Sequence, residues 1–149
     1  ISLFPSKHRH TQSELLLESP LELVVPLDEY DDETGMVVDI EQLFNEYSFF
    51  INHIPSISDE INHQIKTHFP STKTISISQS YIVKRFIKDG LGISFLPKMI
   101  TRREMMEGRF NVIPFPHFKL PTVQVLLLTR KDYVVSKDLV ELIKTSYIG

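Results

Sequence analysis

The stretch QSYIVKRFIKDGLGISFLP, residues 79–97, constrains the fold more than any other part of the chain. Ile82, Val83, Phe86 and Ile87 recur at helical spacing, with Lys84, Arg85 and Lys88 on the opposite face. Gly90 stands where a helix C-terminus takes left-handed backbone, and Gly92 allows a sharp turn into a sheet without a β-carbon clash. GISFLP then reads as a strand. Ile93 and Phe95 bury one way, Leu96 continues the apolar run, and Pro97 ends it because proline has no amide hydrogen for a ladder. A helix that feeds straight into an apolar strand is the joint from which parallel sheets are built.

The flanking sequence repeats this grammar. Asp39 is placed to cap a helix carrying Ile40, Leu43 and Phe44, and SFFINHI follows as a buried strand. Ile57, Ile61, Ile65 and Phe69, four apart, predict a helix with one apolar stripe. That stripe packs on its own sheet or, as an alternative, offers a surface to a second copy. TKTISIS alternates Thr72, Thr74 and Ser76 with Ile75 and Ile77, as a half-buried strand would. KMITRREMMEGRF predicts a helix ending near Gly108, FNVIPF a strand, and HFKLP an extended connector. TVQVLLLTR is an apolar strand, and SKDLVELIKTSY a terminal helix capped by Ser136 with Leu139, Leu142 and Ile143 turned inward. Upstream, Leu15–Leu17 and Leu21–Val25 predict two short strands separated by Ser19-Pro20, and LDEYDDETG reads as a solvated acidic loop. Elements of both kinds in alternation make the fold class α/β.

Composition excludes several functions. With 42% hydrophobic and 23% charged residues the chain has material for a packed core, so disorder is not expected. A net charge of −3 gives no electrostatic footprint for a phosphate backbone, so any DNA contact belongs to another part of the protein. The absence of cysteine removes disulfides, thiolate metal sites and thiol nucleophiles. No apolar run approaches the ~20 residues of a membrane span and no secretory signal is evident, so a cytoplasmic location is expected.

Catalytic and metal-binding patterns are missing. There is no G-x-S-x-G, Walker, H-E-x-x-H or G-x-G-x-x-G sequence. His8 with His10, and His63 with His68, lack a third ligand on a shared face, so the histidines read as surface residues. Asp28, Asp31 and Asp32 have no placed partner for acid/base work, and Met105 and Met106 read as helix-end packing. No catalytic residue, metal site or cofactor is expected.

SYIVKRFIKDGLGISFLPKMI, followed by EGRFNVIPF and by VLLLTRKDYVVSKDLVELI, closely resembles the effector-binding region of LysR-type transcriptional regulators. LELVVP, the acidic loop and DIEQLFNEYSFFI resemble the stretch where that family's chain crosses between subdomains. The resemblance covers nearly the whole chain and is most specific from Ile82 to Pro97. It implies a fold like that of type 2 periplasmic binding proteins, two α/β subdomains joined by crossing strands. Residues 27–115 would form subdomain II. Residues 1–26 and 116–149 would belong to subdomain I, whose opening half, like the winged helix-turn-helix DNA-binding domain, is not in this sequence. The implied partners are a small-molecule effector, DNA through the N-terminal domain, and a second copy in a homodimer or higher oligomer, without membrane contact.

Residue chemistry then locates a site. Open α/β sheets bind ligands beyond the carboxyl ends of their strands, where helix N-termini present free amides. Ser76, Ser78, Gln79 and Ser80 fall between the end of TISIS and the next helix, so their hydroxyls and amides can converge on a carboxylate. Alternatively Ser78 or Ser80 caps that helix, worth about 1 kcal/mol. Asn52 and His53 occupy the equivalent position after SFFI, and Phe4 and Ser6, after the first strand, would face the cleft from subdomain I. The expected function is sensing of a small anionic metabolite. A transporter's solute-binding protein or a small α/β enzyme are the alternatives.

Overall fold

The computed structural model describes residues 11–27, 39–130 and 142. The elements run β1 (Thr11–Pro26), α1 (Ile40–Glu46), β2 (Ser48–Ile51), α2 (Pro55–His68), β3 (Thr74–Ser76), α3 (Ser80–Lys88), β4 (Gly92–Pro97), α4 (Lys98–Met106), β5 (Phe110–Ile113) and β6 (Thr122–Arg130). They form one mixed sheet in the order β3-β2-β4-β1-β5, with β6 paired to β1 off this path. β3, β2 and β4 are mutually parallel neighbours, and β1 runs antiparallel to β4, β5 and β6.

The sheet buries both faces, and the strand period of two assigns its residues. Leu23, Val25, Phe49, Ile93 and Phe95 join Ile61 and Ile65 of α2 in one core, while Val24, Phe50 and Leu96 join Val83 and Ile87 of α3 in the other. The helices after β2 and β3 therefore cover opposite faces. Every residue of β4 is buried, as its unbroken apolar run requires. Phe44 stacks on Phe69 with ring centroids 4.1 Å apart, and Phe115 and Phe118 of the connector meet edge to face at 4.8 Å, closing the α2 side with aromatic rings. The Ile57, Ile61 and Ile65 stripe is thus spent on its own sheet.

Several local expectations hold in detail. The Asp39 carboxylate accepts from the Gln42 amide at 3.2 Å and caps α1. Gly90 takes φ +79° behind α3. Gly92 is needed for a different reason from the turn expected there. It has no positive φ, but a β-carbon would lie 2.5 Å from the Ser48 carbonyl oxygen, so the glycine permits close approach of β2 and β4.

Three expectations need correction. The two short strands are one 16-residue strand, because Pro20 is the last residue paired to β6 and Leu21 the first paired to β4. The proline's missing amide hydrogen falls where the strand exchanges one neighbour for another, and β1 continues through it. β3 is not half-buried: Thr74, Ile75 and Ser76 are all exposed, since β3 is an edge strand of three residues and only Ile77 beyond it reaches the core. The terminal helix lies outside the described residues except at Leu142, which is helical but 64% exposed rather than turned inward. The expected acidic loop also lies outside the described residues after Leu27.

Candidate functional site

The strand order 3-2-4 makes the carboxyl end of the sheet the place to look. β2 lies between β3 and β4, and the helices that follow β2 and β3 leave on opposite faces, which makes the ends of these strands the topological switch point where open α/β sheets bind ligands. Asn52 follows β2, residues 77–79 follow β3, and α4 begins directly after β4.

The structure brings Asn52 and Ser76 together. Asn52 adopts φ 72°, a left-handed conformation that asparagine tolerates better than most side chains, and this turns its amide across to the neighbouring strand. Its Nδ2 donates to Ser76 Oγ at 2.9 Å. The β2–β3 ladder is extended past Ser76 by the Ile77 amide donating to the Ile51 carbonyl at 2.9 Å, which holds the two strand ends level. Ser80 begins α3, and its hydroxyl donates to the His53 carbonyl at 3.4 Å. Neither Ser78 nor Ser80 caps α3: the N-cap is Gln79, and its side chain makes no capping bond. Ser78 and Gln79 are exposed. Ser76, Ser80 and Asn52 are therefore tied into the strand ends, beside a helix N-terminus without a side-chain cap. Phe4 and Ser6 lie outside the described residues.

His53 departs from the surface role expected of the histidines. It is 6% exposed, and its Nε2 lies 2.9 Å from the Phe95 carbonyl oxygen. A carbonyl only accepts, so Nε2 carries the hydrogen and Nδ1 holds a lone pair. Ser94, fully buried, donates to the Phe50 carbonyl at 2.8 Å and sits 3.3 Å from the same Nε2. Burial pushes the His53 pKa down, opposed in part by the Phe95 and Ile51 carbonyls. The Ile51 carbonyl also lies near the ring, but among the described residues Nδ1 has no hydrogen-bond partner of good geometry. His53 supports the site from beneath.

Two contributors escaped the sequence reading. Asn62 of α2 donates from Nδ2 to Asn52 Oδ1 at 3.0 Å, so the helix behind the sheet holds the residue at its edge. Its neighbour Ile61 belongs to the core stripe, which placed Asn62 at the stripe's margin without revealing its partner. Ser94 carried a clearer signal, as the one hydroxyl in GISFLP. His53, Asn62 and Ser94 all line a cavity of about 20 Å³ between α2 and the sheet. Among the described residues, no group of three His, Cys, Asp or Glu is arranged to hold a metal ion, and no helix is long and apolar enough to cross a membrane.

A mixed sheet covered by helices on both faces, with polar groups gathered at its strand ends, defines an α/β module, and its likeness to LysR effector domains gives it the type 2 periplasmic-binding-like fold. Residues 1–146 match the family model described as the LysR substrate binding domain, and the chain belongs to that family. It is 34% identical over 106 residues to the HTH-type transcriptional regulator CitR of Bacillus subtilis, and 25% identical over 95 residues to the uncharacterized HTH-type transcriptional regulator YxjO of the same organism. These alignments take in 71% and 63% of this chain but only 36% and 33% of the relatives. Among solved structures, the effector domain of the transcriptional regulator AmpR of Pseudomonas aeruginosa matches with a TM-score of 0.59 at 12% identity, covering 95% of this chain and 69% of that one. The regulatory domain of HypT from Salmonella typhimurium matches with a TM-score of 0.54 at 18% identity, covering 95% and 65%. These likenesses establish the fold. The family is one of transcriptional-regulator domains, not of enzymes.

Proposed function

We propose that this chain serves a LysR-type transcriptional regulator as its sensor and binds a small anionic metabolite at the strand ends. The observation that carries the reading is the Asn52–Ser76 hydrogen bond at 2.9 Å, which gathers two polar side chains beside the N-terminus of α3. Ser76, Ser78, Gln79 and Ser80 supply hydroxyls and helix amides to a carboxylate, and Asn52 forms the adjoining wall with the buried His53 beneath it. Residues 27–115 act as subdomain II, and residues 1–26 and 116–149 contribute to subdomain I. β1 and β6, paired from Thr11–Arg130 to Pro20–Thr122, then serve as the crossing strands.

Effector binding changes the closure of the subdomains through differential affinity for two states, and so alters DNA binding by a winged helix-turn-helix outside these residues. The regulator works in the cytoplasm as a homodimer or higher oligomer, needs no cofactor and performs no catalysis.

A thermal-shift screen against small carboxylates and amino acids, followed by calorimetry, tests the reading, since a ligand that prefers the folded state raises its melting temperature. A saturable carboxylate whose affinity falls on alanine substitution at Ser76 and Ser80 is the expected result. Carboxylate binding that survives both substitutions with the fold intact would refute the site.

A further inference from the structure

Among the described residues, nothing satisfies a buried acceptor on His53 and another on Asn62. His53 Nδ1 holds a lone pair because Nε2 is committed to the Phe95 carbonyl at 2.9 Å, and it has no partner. Asn62 Oδ1 is buried without a partner, while the same amide's Nδ2 is engaged by Asn52 Oδ1 at 3.0 Å. Both residues line the cavity of about 20 Å³ between α2 and the sheet. That size is close to one water, which needs roughly 10–15 Å³ by this measure together with polar partners. Two acceptors cannot bond each other. A neutral molecule with two hydrogens can serve both, whereas a buried cation would have to give up its hydration among Ile54, Ile57 and Phe95.

The geometry points to a single internal water as a built part of this domain, donating one hydrogen to His53 Nδ1 and the other to Asn62 Oδ1, behind an Asn62–Asn52–Ser76 hydrogen-bond relay that runs from Asn62 toward Ser76. With Asn62 Oδ1 held by the water, its Nδ2 donates to Asn52 Oδ1, and Asn52 Nδ2 donates to Ser76 Oγ. Ser76 accepts within the protein and keeps its own hydrogen for the strand-end site. Where the strand-end site is the effector site, a reading on which this consequence rests, Asn62 is a positioning residue that makes Ser76 a donor and so selects a carboxylate or other acceptor over a donor group. Were the relay reversed, Asn62 Nδ2 would turn to His53 Nδ1 and Ser76 would spend its hydrogen on Asn52.

Nuclear magnetic resonance of the unliganded, ¹⁵N-labelled chain in ammonium-free buffer tests the water and the relay without any effector. The expected spectrum shows His53 as the Nε2–H tautomer and gives cross-peaks from a long-lived water to the Asn62 side-chain amide, lost in Asn62→Leu with the remaining spectrum conserved. The wild-type spectra stand alone if that variant does not fold. A hydrogen on Nδ1, a direct bond from the Asn62 amide to Nδ1, absence of the water cross-peaks, or cross-peaks that appear only on adding ammonium chloride would overturn the proposal. The carboxylate screen is independent, so failure of the sensor reading and failure of the water site are distinguishable.

Discussion

Gly92 of β4 lies so close to Phe50 of β2 that a β-carbon on the glycine would sit 2.6 Å from the tip of the ring. It would also lie 2.5 Å from the Ser48 carbonyl oxygen, and a parallel-strand backbone cannot yield as a flexible side chain can. Gly92→Ala should therefore cost about 1–3 kcal/mol through overpacking. Gly90→Ala meets no atom within 4 Å but forces alanine to φ +79°, a penalty of about 1–2 kcal/mol. Urea unfolding of both variants checks the mechanisms. A second glycine-to-alanine change at Gly108, also at positive φ in open space, should resemble Gly90 and leave the β2–β4 packing untouched.

Ser19 provides a capping bond across 80 residues of sequence. Its side chain, 2% exposed on β1, accepts from the Met99 amide at 3.1 Å, while Pro97 at the N-cap of α4 offers no side-chain acceptor. Ser19→Ala should destabilise the domain by about 1 kcal/mol, the usual worth of a lost cap, with protection of the first α4 amides reduced in hydrogen exchange. Unchanged exchange at Met99 would show that the contact carries no stability.

Ser19 also marks what the sequence could and could not convey. Periodicity located α1 through α4, and the apolar run of GISFLP announced a fully buried strand, because these signals are local. The joining of Leu15–Leu17 to Leu21–Val25 as one strand was hidden, because a proline breaks a strand or merely marks a change of partner depending on neighbours distant in sequence. Exposure of β3 was hidden for the same reason: alternation describes the residues and not whether a helix covers them. At the candidate site the strand-end positions of Asn52 and Ser76 were readable from general topology. Asn62 was not, since its role depends on a contact between α2 and the left-handed Asn52 turn.

The buried imidazole of His53 sets a pH dependence whose sign follows from its depressed pKa. In the unfolded chain the ring protonates near pH 6.5; in the fold it stays neutral to lower pH. Below the unfolded value the unfolded state binds more protons, so stability present at neutral pH is lost as pH falls from about 6.5 toward the depressed folded value. Melting temperatures from pH 7.5 to 5 should decline. His53→Gln, whose amide can still donate to the Phe95 carbonyl, should flatten that slope, and an unchanged slope would assign the decline to other groups.

Glu22 loses on ionisation in the opposite direction. It faces Leu96 across the β1–β4 pairing, and burial raises its pKa above the usual carboxylate range, with the Lys98 ammonium pulling it back down. The folded state therefore binds the proton more tightly than the unfolded state, and the associated stability is present at low pH and lost as pH rises past about 4.5 through the raised folded value. At neutral pH the ionised carboxylate sits in an environment that resists its charge. Glu22→Gln should accordingly melt higher than the parent at pH 7, with the advantage shrinking as pH falls. Lys98→Met, which removes a favourable charge acting on the carboxylate, should melt lower at pH 7 and recover in acid. Melting curves of both variants at pH 4 and pH 7 decide the matter: a Gln variant less stable at neutral pH would mean that the Lys98 attraction outweighs burial, reversing the sign argued here.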